Sequence, residues 1–104
     1  MSILRPKQIL DLHAAAISTR VAPDRSLLIA RLPPPLVNGL PAASTPSAQI
    51  LSDLLQLNSI EQLVDGSVPL ETWIENAIPL FEGGEKAVFQ GALEAARLHR
   101  KSSG

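Results

Sequence analysis

The stretch SVPLETWIENAIPLF, Ser67 to Phe81, holds the single Trp of the chain. Leu70, Trp73, Ile74, Ala77, Ile78 and Phe81 recur at i, i+3, i+4, i+7, i+8 and i+11. That spacing places all six on one stripe of a 3.6-residue period. Pro69 suits the first helical position, where its missing N–H costs nothing. Pro79 ends the helix near Ile78, because its ring opposes the carbonyl four residues back. Glu71, Thr72, Glu75 and Asn76 fall off the stripe, which directs them toward water or a partner. A lone helix of this length is unstable. The rest of the chain is therefore expected to cover Trp73 with further helices.

Working outward toward the N-terminus, a first helix is expected over residues 6–18, with Leu10, His13, Ala14 and Ile17 inward and Ile9 and Leu12 flanking. A second starts near Asp24, a suitable N-cap, and carries Leu27, Leu28, Ala30 and Leu32 up to the Pro33-Pro34-Pro35 stop. A short third spans residues 35–40. After the loop PAASTP, Thr45 caps a fourth helix with Pro46 at its first position. Ala48, Leu51, Leu54 and Leu55 face inward, Leu57 lies near that edge, and Asn58 ends the helix. Ser59 to Gln62 has the capping-box form S-x-x-Q, which predicts a turn of helix to Val64, and Asp65-Gly66 reads as a turn. Beyond the Trp helix, Gly83-Gly84 form a corner. A last helix over residues 85–99 follows, with Val88, Phe89, Ala92, Leu93 and Ala96 on its stripe. Gly91 either admits a close neighbour or is simply tolerated there, at a cost of about 1 kcal/mol against Ala. No period-2 alternation of β-branched residues indicates a strand. The expected fold is all-α: a compact antiparallel bundle of six helices over residues 1–99, with 100–104 opening a linker.

Composition narrows the function. The chain has 104 residues, 45% of them hydrophobic, enough for one domain with a real core. Aromatic residues are 3%, so Leu, Ile, Val and Ala fill most of that core, with Trp73, Leu54, Phe89 and Leu93 as its structural centre. Cys is absent, which excludes a disulfide framework or thiolate metal site and fits a reducing, cytoplasmic compartment. Nucleic-acid binders carry a basic excess and stacking aromatics; a net charge of −1 argues against that class. No apolar run approaches the ~20 residues of a membrane span, and MSILRPK is no signal peptide.

Few residues stand in an arrangement that supports chemistry. His13 and His99 lack a third ligand in register for zinc, no Ser sits in a G-x-S-x-G elbow, and Gly83-Gly84 lacks the Lys and Ser/Thr of a phosphate loop. Glu71 and Glu75 form an i, i+4 carboxylate pair; on an outer helix face such pairs are commonly solvated rather than acid–base catalysts. No catalytic, metal or cofactor-binding residue is assigned. The alternative reading, a small ligand-binding or enzymatic bundle, would use His13 and the acidic helix to line a cavity.

Charge order is the distinctive feature. Residues 1–51 carry five basic and two acidic side chains, residues 52–85 carry seven acids and no Lys or Arg, and residues 86–104 carry four basic and one acidic. A bundle folded from this chain is dipolar. The expected acidic interaction face includes Glu71, Glu75 and Asp53, and the basic face Arg5, Lys7 and Arg25. Opposite patches suit head-to-tail contacts between copies.

Several runs carry a family resemblance. Gln49-Ile50-Leu51-Ser52-Asp53-Leu54 with Leu57-Asn58 leads into Asp65-Gly66-Ser67-Val68-Pro69-Leu70 and Trp73-Ile74-Glu75-Asn76-Ala77-Ile78, and Val88-Phe89 with Ala92-Leu93 follows. Together they resemble the small effector-associated domains of bacterial conflict and defence proteins. Asp24-Arg25 with Leu27-Leu28 also fits, the first helix matches in pattern only, and Pro33-Pro34-Pro35 and Pro79 depart from the pattern. The resemblance implies a death-fold-like module similar to caspase-recruitment and death-effector domains, with six antiparallel helices in a Greek key. It implies homotypic contacts with related domains, fusion to a protease or NTPase effector and a place in bacterial anti-phage immunity, with no catalytic residues to carry over. Asp53, Asn58, Trp73 and Asn76 match its motif; Trp73 is expected in the core and the three polar residues as pins of helix ends.

Overall fold

A computed structural model describes residues 3–18, 25–60, 63, 66, 68–81 and 83–103. Six helices and no strand occur among the described residues: α1 Pro6–Ser18, α2 Arg25–Leu28, α3 Pro34–Asn38, α4 Pro46–Asn58, α5 Pro69–Ala77 and α6 Gly84–Ser103. A 3-10 turn, Ile78–Leu80, extends α5. The all-helical expectation is met, and a radius of gyration of 12.6 Å matches the ~13 Å of a compact chain of this length.

α5 is the hub. It packs against α2, α4 and α6, while α1 closes the bundle against α4 and α6. Leu70, Trp73, Ile74, Ala77 and Phe81 are buried as the period requires, and Ile78 is partly buried. Pro79 acts as expected: α-helical geometry stops at Ala77, and the chain leaves through the 3-10 turn. All three aromatic rings of the chain stack in one column. Phe81 and Phe89 lie 4.2 Å apart between centroids, and Trp73 and Phe89 lie 6.0 Å apart. The Trp73 indole N–H is buried with no acceptor among the described residues, which costs on the order of 1–3 kcal/mol. Leu54, Phe89 and Leu93 join this core.

Two helices are rotated from the expected orientation. In α1 the buried side chains are Ile9, Leu12, Ala15 and Ala16, whereas Leu10 is 55% exposed and Ala14 faces solvent. In α4 they are Ile50, Asp53, Leu54, Leu57 and Asn58, whereas Leu55 is 54% exposed. The cause is common to both. Apolar residues cover more of each helix than one core face can use, so period alone does not fix the rotation. In α6 the stripe holds except for Val88, which is exposed, and the helix continues through Ser103 rather than stopping at residue 99.

α2 is shorter than expected. Its last helical residue is Leu28, and Arg31 adopts φ 70°, a left-handed conformation that costs an L-residue roughly 1–2 kcal/mol. The three prolines start α3 instead of merely stopping α2. Pro33 is its N-cap at φ −60° and ψ 137°, and Pro34 and Pro35 occupy the first turn, where no N–H is needed. Thr45 caps α4 as read from sequence, accepting from the Ala48 N–H at 3.1 Å. The Asp24 cap lies outside the described residues, as do Glu61, Gln62 and Val64 of the helical turn expected after Ser59; Ile60 and Leu63, the described residues of that stretch, are not helical.

Candidate functional site

The polar residues singled out from sequence are placed mostly by packing. α5 is nine residues long and meets three other helices, so it has almost no free face. Glu71, expected to point outward, is therefore only 7% exposed. Its Oε1 lies 3.9 Å from Nε of Arg97 on α6, whose side chain is half-exposed. Asp53 is fully buried on α4, where its Oδ1 accepts from Gln49 Nε2 at 2.9 Å. The same Gln49 donates to the Pro41 carbonyl at 2.9 Å and accepts from the Ala43 N–H at 2.9 Å. One side chain thus ties the PAASTP loop and Asp53 to α4.

A continuous acidic face is not what these placements give. Asp53 and Glu71 belong to the interior, and Glu75 and Glu85 are half-buried. Glu61, Asp65 and Glu82 lie outside the described residues, as does the Arg25 side chain. On the basic side Arg5 and Lys7 are exposed at the start of α1, and the Arg5 N–H is capped by Gln8 Oε1 at 2.8 Å.

Two asparagines act as pins. Asn58, at the end of α4, accepts the Leu4 N–H at 2.7 Å and donates to the Leu4 carbonyl at 3.1 Å. Its own carbonyl accepts the Ile3 N–H at 3.1 Å. Asn76, on α5, uses both donors and its acceptor. Its Nδ2 donates to the Leu28 carbonyl at 2.9 Å and to the Ala30 carbonyl, and its Oδ1 accepts from Arg31 Nε at 3.0 Å and Nη2 at 2.8 Å. The turn after α2 is thus held by α5, including its left-handed residue. Sequence reasoning missed Arg31 and Gln49. An arginine at positive φ leaves no sequence signal, whereas Gln49 stands within the motif run but reads there as an ordinary helix residue.

His13 is half-buried, with Nε2 3.0 Å from the Ser47 carbonyl and 3.3 Å from Ser47 Oγ. A carbonyl only accepts, so this contact requires Nε2 to carry the proton. His13 Nε2 is then a donor to α4 rather than a base for the hydroxyl. His13 is engaged with α4 and Glu71 with α6, on different helix pairs. Among the described residues no group of three His, Asp or Glu could hold a metal ion, and no helix is long and apolar enough to cross a membrane.

No curated protein and no solved structure matches the chain. The family model for effector-associated domain 5 matches residues 3–104. That match spans the buried Ile3-Leu4 segment, all six helices and both asparagine pins, and on it the chain belongs to the effector-associated domain 5 family.

Proposed function

We propose that this chain is a non-enzymatic adaptor that recruits or activates an effector through protein–protein contact. The observation that carries the reading is membership of a family defined by association with effectors. The placement of the polar groups supports it. Asn58, Asn76, Gln49, Asp53, Glu71 and His13 are engaged with other parts of the chain. They hold the bundle in shape and leave its exterior as the working part.

In its specific form the proposal is a death-fold-like bundle, its six antiparallel helices in Greek-key order. It assembles with like domains and thereby gathers a fused protease or pore-former in bacterial anti-phage defence. Contacts of this kind are weak in one module and strengthened by avidity when several effector chains are linked. The test is sedimentation of the chain across concentration, alone and with a separately tagged copy. Self-association that Lys7→Glu weakens, at unchanged helical circular dichroism, is the expected result. A strictly monomeric chain that captures neither its tagged copy nor an effector-fused one ends the reading.

A further inference from the structure

The rotations of α1 and α4 leave apolar side chains outside the core, and they fall on one surface. His13 meets Ser47 and Leu4 meets Asn58, so α1 and α4 run antiparallel with known register. One turn from the His13–Ser47 contact, Leu10 on α1 comes level with Leu51 on α4. Leu10, Ala14 and Ile17 recur at i, i+4, i+7 on α1, and Ala48, Leu51 and Leu55 at i, i+3, i+7 on α4. Each set lies beside the seam between the two helices. Leu10, Ala14, Ala48 and Leu55 are exposed, and Ile17 and Leu51 partly so. An uncharged apolar patch built by two helices and rimmed by polar groups has the anatomy of a protein contact.

The rim says what covers it. Lys7 and Asp11 stand three residues before Leu10 and Ala14, on the next ridge of α1 outward, and both are exposed. On α4 the matching ridge, Ser52 and Gln56, carries no charge. One cation and one anion a turn apart on the same rim form a self-complementary pattern, which an isologous contact requires. We infer that the α1–α4 face docks on the same face of a second copy of this chain. A twofold axis crosses both helices level with the midpoint between Lys7 and Asp11. It sets α1 antiparallel on α1 and α4 on α4, and faces each Lys7 with Asp11 of the other copy. It also brings the two Leu10 side chains together beside the axis. The contact draws on few apolar side chains, and linked copies reinforce it.

This inference rests on the adaptor reading above and names its surface. The chain has no Cys, so Leu10→Cys introduces a sole thiol near the axis. Leu98→Cys on α6, at a position 62% exposed, is the control. Under mild oxidation Leu10→Cys is expected to form its disulfide dimer at least about tenfold faster than Leu98→Cys, since docking raises the local thiol concentration. Lys7→Glu and Asp11→Lys are each expected to weaken sedimentation dimers about tenfold through like-charge contact, and the double swap to restore them. These exposed rim variants keep the test valid if Leu10→Cys fails to fold. Equal, slow cross-linking of the two thiols, or no rescue by the double swap, in a chain that still self-associates overturns this surface alone. A chain that is monomeric throughout overturns the adaptor assembly as well.

Discussion

Asn58 holds Leu4 by both of its backbone groups, with Oδ1 2.7 Å from the N–H and Nδ2 3.1 Å from the carbonyl oxygen. Leu4 and Asn58 are buried, so neither backbone group has water as a substitute partner. Asn58→Leu keeps the volume and removes both bonds. It is expected to cost about 2–5 kcal/mol, since two buried groups lose their partners, read as a lower urea midpoint with unchanged slope.

Asn58→Asp adds a pH signature. The ionised carboxylate keeps the acceptor for the Leu4 N–H but turns an oxygen lone pair on the Leu4 carbonyl. Burial and that repulsion favour the protonated acid in the folded state, raising its pKa above the unfolded ~3.9. The folded state then binds more protons, so stability falls as pH rises. The deficit relative to the parent chain is smallest below the unfolded pKa and complete above the folded one. Urea titrations from pH 3.5 to 8 check this; a deficit independent of pH contradicts the assigned geometry.

Arg31 combines a strained backbone, φ 70°, with a guanidinium that donates twice to Asn76. Arg31→Ala loses the hydrogen bonds and keeps the strain. Arg31→Gly loses the same bonds and relieves the strain, so it is expected to be the more stable of the two by about 1 kcal/mol. Asn76→Asp gains charge attraction to Arg31 yet loses both donations to the Leu28 and Ala30 carbonyls. A net loss of about 2–4 kcal/mol is expected, visible in thermal melts.

Glu71 and Glu75 are one turn apart but not equivalent. Glu71→Lys places a cation in a buried site that faces Arg97 and is expected to cost about 3–5 kcal/mol. Glu75, only half-buried, tolerates Lys at under about 1 kcal/mol. A loss of association on reversing both would therefore reflect unfolding, and Glu75→Lys alone is the informative variant. Equal melting temperatures for the two single variants would contradict the burial of Glu71.

Gly91 is exposed, and a Cβ added there meets no atom within 4 Å. No neighbour requires its absence, which decides between close approach and tolerance in favour of the latter. Gly91→Ala is expected to stabilise the chain by about 0.5–1 kcal/mol through helix propensity, measured by denaturant titration.

The fold class was legible because caps and breakers are local. Pro46, Pro69, Pro79 and Thr45 act as their chemistry dictates, and the Trp73 stripe is narrow enough to fix the rotation of α5. The orientations of α1 and α4 were not legible, since Leu10, Ala14, Leu51 and Leu55 compete with Ile9, Leu12, Ile50 and Leu57 for one core. Glu71, and Asp53 in its reading as part of an acidic face though not in its reading as a hydrogen-bonded pin, were misplaced for a related reason. Hydropathy assigns a carboxylate to water, whereas a short helix enclosed on three sides, or a Gln one turn away, can accommodate it inside. The left-handed Arg31 depends on Asn76, 45 residues away in sequence, and no local pattern reports that.

The stacked column of Phe81, Phe89 and Trp73 has a spectroscopic consequence. With one Trp and no Tyr, near-ultraviolet emission from this chain arises from a single fluorophore lodged between α5 and α6. Its wavelength and intensity register the parting of those two helices directly, so the folding of the domain can be followed through that one indole.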